Sequence, residues 1–170
     1  MMESVEPFLE ICYDRNMMDL YLFFDVDGVL NKESDWRRNN YIDPACVRVL
    51  AQISEMLSKR GFCVHFFLCS TWSDGVGKGG EASISSLELA LAGANIRIEG
   101  STPHSNKSRQ EEIEFCIRRY GMQYYMVVDA DPSRYLFPKR INLFVPDAKT
   151  GLIGRDIARM LRASKRMYHS

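Results

Sequence analysis

Within YLFFDVDGVLN, Tyr21 to Asn31, an apolar run ends in the carboxylate of Asp25, and a second carboxylate, Asp27, follows after a single residue. A short run of aromatic and apolar residues closed by Gly28 reads as a buried strand meeting a loop. Burying that strand leaves an acidic pair at its C-terminal tip, and such a pair needs a partner; a hard cation suits it best. Gly28 lets the backbone turn away sharply and leaves room beside the acids. The plain alternative is an Asp-Gly turn at a strand end. The rest of the chain decides between them.

The 170 residues are read as one domain, 1–170, with residues 1–19 an N-terminal extension and 165–170 a frayed tail. Lys plus Arg equals Asp plus Glu, so no global field points to nucleic acid or a membrane, and a nucleic-acid role would rest on a local patch. The five cysteines are odd in number and lack CxxC spacing, which reads as free thiols in a reducing compartment. The start, MMESVEPFLE, has acids and no apolar leader core, and no apolar run is long enough to span a bilayer. A cytoplasmic protein is expected.

Strands and helices alternate along the chain. Strands are expected at 21–25, 62–69, 96–98, 124–129 and 141–145. The first helix starts at Asp43 as N-cap with Pro44 in its first turn, and carries Val47, Leu50, Ile53 and Leu57 on one stripe. Shorter helices are expected at 86–91 and 154–162, and Ser108 to Glu111 fits a capping box opening a helix that Gly121 ends. Residues 74–80 read as a Gly-rich loop. This alternation predicts an α/β fold: a three-layer, Rossmann-like parallel sheet with strand 1 central.

In such a sheet the strand tips face one edge. That edge collects Asp25 and Asp27, then Ser70 and Thr71, then Asp129 and Asp131. Lys107 and Arg109, at a helix N-terminus, join it if the 96–98 strand carries the chain back there. The set suits phosphoryl transfer. Mg²⁺ takes one or two carboxylates with phosphate oxygens; a carboxylate can attack phosphorus; a second can move the proton; a hydroxyl and a cation offset charge on the phosphoryl oxygens. Plain readings stand beside these: strand-end hydroxyls on the backbone for Ser70 and Thr71, a helix cap for Asp129, solvated charge for Lys107 or Arg109. His65, inside an apolar strand, reads as a hydrogen-bonded core histidine, and Trp36 and Trp72 as packing residues.

DVDGVLN resembles the first motif of the haloacid dehalogenase (HAD) superfamily, Ser70 after FFLC its second, and VVDAD its fourth. CSTW, EGSTP, SRQEEI and FVPDAKTGLIGRDIARML together resemble the capless phosphatase domain of Swiss Army Knife RNA repair proteins over nearly the whole chain after residue 20. The resemblance implies that Asp25 is a nucleophile forming an aspartyl-phosphate and that Asp27 is acid and base with its carbonyl on Mg²⁺. Ser70 would hold the phosphoryl group, and Asp129 would be the remaining metal carboxylate. It favours Arg109 over Lys107 as the third-motif cation. Two departures follow from it. Ala130 separates Asp129 from Asp131, which leaves Asp131 open as direct ligand, water-mediated ligand or outer partner. Ser73 stands where an Arg is frequent, so a phosphate contact is either missing or supplied elsewhere.

The function expected is a Mg²⁺-dependent phosphohydrolase acting through an aspartyl-phosphate. Neither 32–42 nor 73–106 is long enough for a lid with its own core, so no substantial cap domain is expected and the edge should be open. The first loop supplies Trp36, Arg37, Arg38 and Tyr41, an aromatic surface with cations suited to a nucleic-acid end. The substrate expected is a terminal phosphate of RNA or DNA, in particular a 3′-phosphate. A small nucleotide or sugar phosphatase is the alternative enzyme, and a non-catalytic phosphate-binding module the alternative of another class. The oligomeric state is not legible.

Overall fold

Side chains alternate strictly along the first strand, β1 (Met18–Phe24): Leu20, Leu22 and Phe24 point to one face, Tyr21 and Phe23 to the other. Both faces are covered, which is why the strand is apolar on both sides rather than alternating with polar residues. The computed structural model describes residues 16–38, 41–74, 81–105 and 107–169. The remaining elements are α1 (Pro44–Ser58), β2 (Phe62–Leu68), α2 (Glu81–Ala92), β3 (Ile98–Ser101), α3 (Arg109–Tyr120), β4 (Tyr124–Val128), β5 (Leu143–Phe144) and α4 (Gly154–Lys165).

The five strands form one parallel sheet in the order β3-β2-β1-β4-β5, with β1 in the centre as expected. The chain moves outward from β1 to β2 and β3, then returns through α3 to β4 on the other side of β1. That reversal opens a crevice between the tips of β1 and β4, the place where ligands bind in sheets of this kind. The tips are level: Asp25 N donates to Val128 O over 2.9 Å, Cys69 N to Phe24 O over 2.9 Å and Thr102 N to Leu68 O over 2.9 Å.

One core packs α1, α2 and α4 against the face formed by Leu22, Phe24, Phe66 and Met126. The other packs α3 and the segment after β4 against Phe23 and Val127. The α1 stripe is the expected one, with Val47, Leu50, Ile53 and Leu57 all buried, and Asp43 caps it by accepting from Ala45 N over 2.8 Å. Among the described residues no cap domain is inserted between these elements, and no helix is long and apolar enough to cross a membrane.

Several expectations are corrected. The third strand lies at Ile98–Ser101, not at 96–98. Asn95 takes a left-handed conformation and Ile96 N ties back to Leu91 O, so the chain straightens beside β2 only from Ile98. Gly100 is then a strand residue. A Cβ there would fall 2.7 Å from the Phe67 ring, so glycine lets β3 pass over it. The fifth strand shrinks to Leu143–Phe144, because Pro138–Ile141 forms a 3₁₀ turn that Asn142 closes in the left-handed region. Helices α2 and α4 are longer than expected, and Met18 and Asp19 belong to β1 rather than to an N-terminal extension. The tail expected to fray forms a 3₁₀ turn at Arg166–His169. The reading of free thiols holds for Cys46, Cys69 and Cys116, whereas Cys63 is disulfide-bonded. Cys12, the extension 1–15 and the Gly-rich residues 75–80 lie outside the described residues.

Candidate active site

Asp25 and Asp129 leave the tips of β1 and β4 side by side and are almost fully buried. Arg109, the first residue of α3, reaches both: its Nη1 lies 3.1 Å from Asp25 Oδ2 and 2.9 Å from Asp129 Oδ2. β3 is parallel to β2, so α3 begins at the active edge, as Arg109 requires. Ser108 starts that helix through a reciprocal capping box with Glu111.

The acid pair is costly. Burial, and then the neighbouring Asp25, push the Asp129 carboxyl above its ordinary range, against hydrogen bonds from Asp131 N and Tyr135 Oη. Burial opposes the charge on Arg109 too, yet the two carboxylates hold its pKa above the ordinary value. One oxygen from each carboxylate faces the guanidinium groups of Arg109 and Arg134. A pair of buried carboxylates is a donor set that fits a hard divalent cation such as Mg²⁺.

Asp27 stands at the mouth, half-buried. Asn31 Nδ2 donates to its Oδ1 over 2.9 Å, and Trp72 Nε1 approaches its Oδ2 at 3.4 Å. Asn31 Oδ1 in turn accepts from Gly28 N and from Trp36 Nε1, each over 3.0 Å. Gly28 has φ +77°, and a Cβ on it would fall 2.6 Å from the Ala130 Cβ. Turn and fourth-motif loop therefore pack closely only with glycine at 28.

The other expected residues fall as follows. Ser70 is buried beside the β2 tip, its Oγ accepting from Trp72 N over 3.3 Å, while Thr71 is exposed on the short turn Thr71–Asp74. Lys107 is exposed, and its ammonium makes no ion pair or hydrogen bond among the described residues. Asp131 has both carboxylate oxygens engaged in its own turn: its Oδ1 accepts from Ser133 N and Oγ, and its Oδ2 from Arg134 Nε over 3.0 Å. Trp36 and Arg37 line an open cleft of about 680 Å³ with Glu33, Ser34 and Lys149.

Four further residues matter that were not singled out from the sequence. Tyr135 is buried and donates to Asp129 Oδ2 over 2.7 Å. Arg134 Nη1 lies 3.2 Å from Asp25 Oδ2. Glu112 holds the loop before α3 by accepting from Ser105 N over 2.7 Å. Asn31 had a visible signal, a polar residue closing VLN after the turn; the other three had no periodicity or spacing to betray them.

Comparison with known proteins agrees with this architecture. A family model described as the HAD domain in Swiss Army Knife RNA repair proteins matches residues 21–157. No curated protein matches. Among solved structures, the chain resembles a D,D-heptose 1,7-bisphosphate phosphatase from B. bronchiseptica complexed with magnesium and phosphate. The identity is 14%, the match covers 90% of this chain and 100% of that one, and the TM-score is 0.55, a likeness of fold.

Proposed function

Since this chain belongs to the family of HAD domains found in Swiss Army Knife RNA repair proteins and is a HAD-type phosphatase, we propose that it removes terminal phosphates from RNA or DNA, 3′-phosphates in particular. Asp25 attacks phosphorus and the bond to the leaving oxygen breaks, giving an aspartyl-phosphate. Asp27 gives its proton to that oxygen. It then takes one from water, which attacks phosphorus, frees the Asp25 carboxylate and releases inorganic phosphate. Asp25, Asp129 and the Asp27 carbonyl would hold Mg²⁺, which when bound would neutralise charge on the phosphoryl oxygens. Arg109 keeps the two buried acids paired, and Ser70 donates to the phosphoryl group.

One observation carries the choice of a polymer end. Trp36, which lines the open cleft, is two hydrogen bonds from the proposed acid: Trp36 Nε1 to Asn31 Oδ1, Asn31 Nδ2 to Asp27 Oδ1. An aromatic ring with Arg37 and Lys149 beside it suits a terminal base and its backbone. With no cap among the described elements, a chain end can enter where a lid would exclude it.

The test compares 3′- and 5′-phosphorylated oligonucleotides with mononucleotides, sugar phosphates and an aryl phosphate, with Mg²⁺ and with chelator. The Trp36→Ala, Arg37→Ala double variant should lose about 10-fold or more in kcat/KM on the oligonucleotide, the scale of a lost stacking contact. On the aryl phosphate it should lose far less, because Gly28 N still holds Asn31 Oδ1. Oligonucleotide turnover should also weaken with salt. A preference for a free mononucleotide over every phosphorylated oligomer, unmoved by the double variant, would overturn the assignment.

A further inference from the structure

The two guanidinium groups at the site differ in how far they are exposed. Arg109 is only 12% exposed, and its Nη1 is shared between two buried carboxylates. Arg134 is 39% exposed and stands at the mouth. Its Nε is tied to Asp131 Oδ2 at 3.0 Å, its Nη1 reaches Asp25 Oδ2 at 3.2 Å and lies 3.8 Å from Asp129 Oδ2, and its Nη2 has no partner among the described residues. A guanidinium is a rigid fork with five donors, so fixing Nε fixes where the Nη edge points. Here that edge points over the carboxylate that would attack phosphorus.

The segment is built to hold that direction. Pro132 opens the short turn Pro132–Arg134, and Asp131 caps it by accepting from Ser133 N over 3.1 Å. On the other side Tyr135 is anchored by its hydroxyl on Asp129. Arg134 is thus bracketed by two residues fixed by their own hydrogen bonds, the arrangement that preorganises a binding group. Both oxygens of Asp131 are engaged within this turn, Oδ1 by Ser133 and Oδ2 by Arg134.

We propose that Arg134 is a second cation for the substrate's phosphoryl group and that Asp131 is the residue that positions it, not a metal ligand. The inference rests on the phosphatase reading. Arg134 lies beside Asp25 and offers its open donors to phosphoryl oxygens of the substrate. Asp131 acts through Arg134 alone.

The experiment is calorimetric binding of inorganic phosphate in saturating Mg²⁺, separate binding of Mg²⁺ without phosphate, and aryl phosphate turnover. It uses the wild type, Arg134→Ala, Arg134→Lys, Asp131→Asn and the Asp131→Asn, Arg134→Ala double variant. Arg134→Ala and Asp131→Asn should each weaken phosphate by about 10- to 100-fold, as expected for losing a charge-assisted contact. Mg²⁺ affinity should stay within about threefold. In the double variant, Asp131→Asn should add almost nothing to Arg134→Ala, the sign of two residues acting as one unit. Arg134→Lys, which keeps the charge and loses the Nε tether, should fall between and carries the test if Arg134→Ala fails to fold. A tenfold loss of Mg²⁺ affinity in Asp131→Asn, or wild-type phosphate affinity in Arg134→Ala, would overturn the proposal while the wild type still turns over aryl phosphate. A wild type that neither hydrolyses the ester nor binds phosphate would instead sink the phosphatase reading with it.

Discussion

Asn31 donates from Nδ2 to Asp27 Oδ1 over 2.9 Å. The direction of that bond is settled by the other end of the amide. Asn31 Oδ1 accepts two donors, Gly28 N and Trp36 Nε1, so its NH₂ must face the acid. The carboxylate is held at Oδ1 by Asn31 over 2.9 Å and at Oδ2 by a longer contact from Trp72 Nε1 at 3.4 Å. A single side chain therefore couples the tight turn, the first loop and the proposed acid.

Asp27→Asn should keep the fold and the bond to Asn31, because an amide oxygen accepts as a carboxylate does. Protonation of the leaving group should fail. The loss should be about 10²- to 10⁴-fold on alkyl phosphates, the scale of general-acid catalysis, and much smaller on aryl phosphates with good leaving groups. The check is the dependence of kcat on leaving-group pKa. Equal losses on both ester types would count against an acid role.

Asp25→Asn should abolish steady-state turnover, a loss on the order of 10⁴-fold or more for removing a covalent nucleophile. The amide preserves the shape of a buried side chain but removes one negative charge from beside Arg109 and Arg134. Acid-stable phosphate labelling of the wild type, absent in the variant, tests the aspartyl-phosphate directly. Turnover by a verified pure Asp25→Asn protein would exclude it.

Arg109→Ala should lower turnover by about 10²-fold or more and also lower the thermal midpoint, since it takes from buried Asp25 and Asp129 the closer of their two guanidinium partners and leaves only Arg134. Lys107→Ala should change neither by more than about twofold in rate, because its ammonium is exposed to solvent. Kinetics and melting curves of the two variants side by side decide this. A strong effect of Lys107→Ala with a mild one for Arg109→Ala would reverse the assignment.

His65 bridges β1 and β3, its Nδ1 2.8 Å from Glu99 and its Nε2 2.9 Å from Asp19. It is a half-buried cross-link on the sheet rather than the core histidine expected. The hydrogen bond to Glu99 is the main cause that raises its pKa, with Asp19 adding and burial opposing, to about 9. A pKa raised on folding means stability fully present below the ordinary value of about 6.5 and lost as pH climbs through about 9. His65→Gln should therefore melt lower than wild type near pH 6, by about 2–4 °C if the partly exposed bridges amount to about 1 kcal/mol. The gap should close by about pH 10. A gap that stays constant from pH 6 to 10 would show that the charge on His65 contributes nothing.

What could be read from the chain alone was local or periodic. The apolar run into Asp25, the Asp43 and Ser108 caps, the α1 stripe and the order of the acidic strand tips each depend on residues within a few positions of one another. Short-range sterics and side-chain periodicity suffice for them. A central β1 also followed, because alternating strands and helices allow few parallel sheets. The position of β3 did not follow, since it depends on Asn95 tying Ile96 back to α2 and on Gly100 clearing the Phe67 ring. Nor did the choice between Lys107 and Arg109 on residues alone: both lie at the α3 start, and only the packed sheet brings Asp25 and Asp129 within reach of one of them. Arg134, Tyr135 and the place of Asp131 beside Arg134 were equally illegible. Arg134's role comes from a contact across 109 residues of chain to Asp25, which exists only once the tertiary fold has closed the crevice between β1 and β4, and Tyr135 and Asp131 take theirs from the same segment that this closure positions.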